Sequence, residues 1–196
     1  PMFWLYSRAG ITSIAELDQG RVATFPDAAP PSRLLQGLLA LEKIAPGLLP
    51  CRDDVARLAL VSSGSVDGAL LSSYYLPAEV TKNGCTELAL VGDTIRLPST
   101  GLAISSESYQ SEPGLVADMV GVYQESMKWV FDDDDTLLRR TLAEKFAMPA
   151  VGLEQTIEVI RHCYNPFGYS YDNVLSSAVD NMAAGMGLAT RDAGEL

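Results

Sequence analysis

The segment Arg21-Val22-Ala23-Thr24-Phe25-Pro26-Asp27-Ala28-Ala29-Pro30-Pro31-Ser32 reads as a buried strand that runs straight into a punctuated loop and then into a helix. Its first five residues form a compact apolar run, and the prolines with Asp27 stop that run. From about Ser32 to Lys43 the residues Leu34, Leu35, Leu38, Leu39 and Leu41 give a helix with a wide apolar face, suited to covering a sheet. Strand, loop and helix therefore make the repeating unit.

The same unit extends in both directions. Before it, Phe3 to Ser7 reads as a strand, and Ser13 with Glu16 is placed to close a capping box on a short helix that Gly20 ends. After it, Asp53 caps a helix carrying Val55, Leu58, Ala59 and Val61, which stops in the turn Ser62-Ser63-Gly64. Further strands are expected over residues 66–71, 88–91 and 101–104. Strands alternating with helices imply an α/β fold with one mostly parallel sheet. From Glu112 onward the pattern is helical only, with helices expected over 114–131, from about 136, over 152–163 and over 171–186. Leu115, Met119, Val122, Tyr123, Met127 and Val130 form an apolar stripe on the first of these. The expected organisation is an α/β lobe over 1–104 followed by a helical part over 105–196.

With 196 residues and 47% hydrophobic content the chain can bury a sizeable core. A formal charge of −11, from 25 acidic against 14 basic residues, argues against a nucleic-acid partner, because a phosphate backbone would be repelled. No apolar run reaches the roughly 18 to 20 residues of a membrane span. The first residues lack the charge and apolar pattern of an export signal, which leaves the compartment open. Cys51, Cys85 and Cys163 are too scattered for a disulfide framework or a zinc site and read as small buried hydrophobes. His162 is the single histidine and reads as a helix-surface residue. Asp132 to Asp135 are consecutive, unlike the alternating ligands of a calcium loop, and read as a solvated helix junction. Neither a phosphate-binding loop nor a nucleophile elbow is present. No catalytic residue, metal site or cofactor is expected.

Four stretches together resemble the type II solute-binding proteins of ABC importers, in the nitrate, sulfonate, taurine and thiamine-precursor branch. Trp4-Leu5-Tyr6-Ser7-Arg8 with residues 11–17 and 20–23 is similar to that family's crossover strand, short helix and first strand of the second lobe. Ser63-Gly64-Ser65-Val66-Asp67-Gly68-Ala69 is similar to its turn and strand containing an Asp, which reads as structural. Thr100-Gly101-Leu102-Ala103-Ile104-Ser105 resembles the strand returning to the first lobe, and Glu112-Pro113-Gly114-Leu115-Val116 the opening of its long helix. The resemblance implies a periplasmic-binding-protein-like type II fold, a periplasmic or extracellular setting with the cytoplasm still open, and an ABC permease as partner. Family members carry a further block before the crossover strand that is missing here. The apolar stripes of the last helices would cover that block, so the chain is expected either to form a homodimer through them or to be a piece of a longer protein.

In such a fold, ligands are met by loops at the carboxyl ends of strands, where helix amino termini offer N–H groups. The resemblance therefore nominates Asp27, Ser32 and Arg33 after the second strand, Ser72, Ser73 and Tyr74 after the strand ending near Leu71, and Thr100. Ser32 can offer a hydroxyl and an N–H, and Arg33 a bidentate fork. Each also has a structural reading: Ser32 as a cap, Arg33 as a solvated surface residue, Asp27 as a turn residue. Asp27 would oppose an anion and suit an amine-bearing ligand. Trp4 and Tyr6 read as packing residues. The expected function is capture of a small organic molecule for import, with no chemical step. Two alternatives stand beside it: a ligand-sensing or degenerate interaction domain, and an enzyme like those of thiamine-precursor or menaquinone synthesis, for which the sequence supplies no apparatus.

Overall fold

The computed structural model describes residues 2–27, 29–95, 98, 101–146, 148 and 150–185, with the backbone alone at 151, 172, 173 and 181–185. The chain divides into two compact units, Pro1–Leu97 with Asp172–Leu196, and Pro98–Tyr171.

The first unit is built on β1 (Phe3–Ser7), β2 (Arg21–Thr24), β3 (Gly47–Pro50), β4 (Gly68–Ser72) and β5 (Thr86–Leu90), which form one sheet in the order β3-β2-β4-β1-β5. β2 pairs in parallel with β3 and β4, whereas β1 is antiparallel to β4 and β5. Four strands thus point one way and β1 alone the other, a mostly parallel sheet as expected. The carboxyl ends of β2, β3 and β4 gather at one edge, and β1 starts there, with Phe3 opposite Ser72.

Helices α1 (Pro30–Leu41), α2 (Asp54–Ser62), α3 (Pro77–Val80) and α4 (Val91–Thr94) follow strands in turn. Leu35, Leu38 and Leu39 of α1 and Val91 of α4 close over Leu5, Val22 and Leu70, one alternating face of three adjacent strands. α2 packs on β4 and β2.

β3 escapes sequence reading because Pro46 and Pro50 bracket it and look like loop punctuation. It lies at the sheet's edge, the one position where proline is tolerated, since an edge strand has donors no neighbour uses. The capping box does not close as expected: Glu16 accepts from the Thr12 N–H and the Ser13 hydroxyl, at 3.2 and 2.9 Å, and Ser13 caps nothing. α1 begins at Pro30, two residues earlier than expected, with Ala29 as its cap.

In the second unit α5 (Ser106–Ser111), α6 (Pro113–Phe131), α7 (Thr136–Lys145) and α8 (Ala150–Cys163) follow one another, and α6, α7 and α8 pack together around Met127, Leu142 and Ile157. Arg161 closes the carboxyl end of α6, donating to the Val130 and Asp132 carbonyls at 2.7 and 2.6 Å. Arg139 joins α7 to α8 through Asp135 and Glu154. The strand expected at 101–104 does not form. These residues are exposed and pair with no strand among the described residues, and an extended segment without a partner leaves its backbone groups to water. Much of the stripe expected on α6 also stays outside, with Leu115, Met119 and Val122 54, 43 and 67% exposed. The chain then enters α9 (Asp172–Gly185), which packs against α1 and counts with the first unit.

Candidate functional site

At the carboxyl edge of the first unit's sheet the organising side chain is Arg57, which is wholly buried. It projects from α2, whose amino terminus is fixed by Asp53 accepting the Val55 N–H at 2.9 Å. Its Nε donates to the Leu70 carbonyl at 2.9 Å, its Nη1 to the Cys51 carbonyl, and its Nη2 to Asp54 Oδ1. The guanidinium carbon lies 3.6 Å from the centre of the Phe25 ring, and that ring meets Phe3 edge-on at 5.5 Å. Asp54 Oδ1 also accepts the Ser72 N–H at 3.2 Å. One arginine thus ties the ends of β2, β3 and β4 together. Burying a guanidinium is tolerable only because carbonyls, a carboxylate and an aromatic face surround it.

Sequence reading missed Arg57, and a signal was available. Arg57 and Val61 are four apart in α2 and are its two buried residues, so an arginine occupies the helix's inward face.

The β2–α1 turn holds three of the expected residues. Ser32 is fully buried; its hydroxyl donates to the Phe25 carbonyl at 2.6 Å and lies 2.9 Å from Thr24 Oγ1, while its N–H donates to the Ala29 carbonyl at 3.0 Å. Asp27 is exposed in the turn, and Arg33 is half-buried with Nη1 on Gln36 Oε1 at 3.1 Å. Beyond β4, Ser72 and Ser73 are half-buried and Tyr74 is 66% exposed. Tyr75 turns back, its N–H on the Ser72 carbonyl at 3.0 Å and its own carbonyl accepting the Tyr6 hydroxyl at 2.5 Å. Burial, then the charges of Asp54 and Asp53, raise the Tyr75 phenol above its ordinary value. Tyr6 is pushed up further by burial, with Glu87 and Cys85 adding to it. Asp27 to Arg33 and Ser72 to Tyr74 therefore leave the same edge of one sheet. Thr100 lies outside the described residues.

Asp67 sits at the opposite end and is structural, as expected. Its carboxylate accepts the Arg21 N–H at 2.8 Å and Arg8 Nε at 3.0 Å, which together hold it below the usual carboxyl range. Gly20 is required there, because a Cβ would stand 2.9 Å from Asp67 Oδ2. Trp4 and Tyr6 are buried. Cys85 is buried, whereas Cys51 and Cys163 are only half-buried. His162 is exposed on α8. Among the described residues no group of His, Cys, Asp and Glu could hold a metal ion, and no helix is long and apolar enough to cross a membrane.

No family model matches the sequence, and no curated protein matches it. Solved structures do. The alkanesulfonate-binding protein SsuA of Xanthomonas axonopodis pv. citri, bound to MOPS, is 17% identical with a TM-score of 0.67, over 96% of this chain and 66% of that one. The periplasmic aliphatic sulphonate binding protein SsuA of Escherichia coli is 14% identical with a TM-score of 0.72, over 95% and 59%. The fold is that of the periplasmic solute-binding proteins. A ligand-binding component of an ABC-type import system from Staphylococcus aureus, with zinc bound, matches at 14% identity and a TM-score of 0.63, over 95% and 63%. The chain spans 59 to 66% of the length of these three proteins.

Proposed function

We propose that the chain is a solute-binding module of an ABC-type importer, and that it meets a small organic molecule at the carboxyl edge of β2, β3 and β4. The observation that carries this reading is the Arg57 cluster: it fixes three strand tips from within, so Asp27, Arg33, Ser73 and Tyr74 stand on a rigid base and Ser72 on its rim. Rigid support for a few polar and aromatic side chains is what small-molecule recognition needs. Likeness to proteins described as sulfonate-binding and as import components supports the same reading. In it, Ser32 shapes the turn from below, Thr100 is a further contact, and no bond of the ligand is made or broken.

A periplasmic or extracellular setting and an ABC permease partner go with this function. We assign self-association to the exposed α6 stripe of Leu115, Met119 and Val122; a concentration-independent monomer in light scattering counts against that assignment alone. The function itself is tested by a thermal-shift screen of the 196-residue chain against sulfonates, amines, pyrimidines and purines. A true ligand at a hundred times its dissociation constant adds about 2.7 kcal/mol. Absence of any shift across these classes removes the reading.

A further inference from the structure

Resting on the solute-binding reading, we infer that the ligand group meeting the β2–α1 turn is a hydrogen-bond-donating amine, and that this turn does not take a sulfonate or other oxyanion.

An oxyanion at a strand-to-helix turn is held by unpaired N–H groups of the helix's first turn, aided by the helix dipole. α1 withholds those groups. Its first two positions are Pro30 and Pro31, which have no N–H. The Ser32 N–H and hydroxyl are engaged inside the turn, on the Ala29 and Phe25 carbonyls at 3.0 and 2.6 Å. The Ala29 N–H is likewise engaged, on the Pro26 carbonyl at 2.8 Å. A helix terminus sealed in this way presents carbonyl and carboxylate oxygen to a ligand.

The cations do not make up the deficit. Arg57 is buried with its donors on Leu70, Cys51 and Asp54. Arg33 reaches along α1 to Gln36, away from the turn. Arg52 is exposed at the β3 tip but is followed directly by Asp53 and Asp54. On the acidic side, Asp27 is exposed, and no hydrogen bond or ion pair reaches its carboxylate among the described residues. Thr24 pairs with Pro50 across β2 and β3, so Asp27 and Asp53 each stand three residues beyond a paired position on neighbouring parallel strands. Two carboxylates therefore leave the sheet side by side. Tyr75 reports the resulting field: besides burial, Asp54 and Asp53 hold the proton on its phenol, with Arg57 opposing them.

The test is calorimetric titration of the 196-residue chain with matched pairs, butan-1-amine against butane-1-sulfonate and benzylamine against phenylmethanesulfonate. The amine of each pair is expected to bind at least tenfold more tightly. Asp27→Asn is expected to lower amine affinity about tenfold without moving the melting temperature of the ligand-free protein. Adding Pro30→Ala and Pro31→Ala to Asp27→Asn restores two N–H groups and is expected to raise sulfonate affinity. A sulfonate that outbinds its amine in the unaltered chain overturns the inference, as does amine binding indifferent to Asp27→Asn. Capture of a compound without an amine, unaffected by that substitution, also overturns it, and in each of these cases the solute-binding reading survives. A chain that binds nothing in these pairs or in the wider screen loses both.

Discussion

The two ends of the first unit's sheet each hold a charged residue that fastens loops, and they do so in opposite ways. At one end Asp67, with its side chain 27% exposed, takes a backbone N–H and an arginine that is itself partly in water. At the other, Arg57 has no exposure and is satisfied by two carbonyls, one carboxylate and an aromatic ring. The Asp67 end engages its outer cations: Arg8 on Asp67, and Arg21 on the Ser65 carbonyl at 2.6 Å. The Arg57 end directs its charge inward and leaves Asp27 and Tyr74 facing solvent. A buried anchor beneath exposed polar side chains is the arrangement a binding edge needs; a half-exposed anchor with engaged neighbours is a staple.

If that contrast is right, removing Arg57 has the larger effect. Arg57→Ala leaves the Asp54 carboxylate and two carbonyls short of a partner around a cavity, and is expected to destabilise the first unit by about 3–5 kcal/mol. Arg57→Lys should fall between, because one ammonium cannot reach three acceptors set for a planar fork. Urea unfolding followed by Trp4 fluorescence in a Trp129→Phe background reads the first unit directly. An effect of Arg57→Ala below about 1 kcal/mol would class Arg57 with surface arginines and dissolve the comparison.

Ser32 sharpens the comparison at the same end. Ser32→Ala removes the donor to the Phe25 carbonyl and the partner of Thr24 Oγ1 from a fully buried position. It is expected to cost about 1–2 kcal/mol, measured by the same unfolding experiment. Because Phe25 also carries the Arg57 contact, Ser32→Ala combined with Arg57→Ala should lose less than the sum of the two.

Much of this unit could be read from local sequence, and what could not has identifiable causes. β1, β2, β4 and β5 announce themselves because each is a short apolar run between turn residues. β3 does not, since Pro46 and Pro50 mark a loop everywhere except at a sheet edge, and edge position is a tertiary fact. Asp27, Ser73 and Tyr74 were placed on the correct edge because chain order alone puts them after strands. Arg57 was overlooked because its partners are the carbonyls of Cys51 and Leu70; backbone acceptors leave no trace in a sequence. The same blindness affects Ser32, whose hydroxyl was expected to face a ligand and instead faces Phe25. The strand expected at 101–104 shows the converse: an apolar run specifies a strand only if a partner lies beside it.

The smallest effect is expected at Asp67, and it carries a pH signature that Arg57 cannot have, since a guanidinium stays charged throughout. The Arg21 N–H, then Arg8, holds the Asp67 carboxyl below its unfolded value, so the folded state binds this proton less readily than the unfolded chain. The stabilisation is therefore fully present above the ordinary carboxyl range near pH ~4 and is lost as pH falls through the folded-state value. Partial exposure and solvent screening limit it to about 1 kcal/mol. Melting temperatures of the unaltered chain and of Asp67→Asn should therefore differ modestly and constantly from pH 7 to 5, then converge as the medium is acidified further. Curves that stay parallel down to pH 2 would show that the charge of Asp67 contributes nothing and that its hydrogen-bond geometry alone holds that end of the sheet.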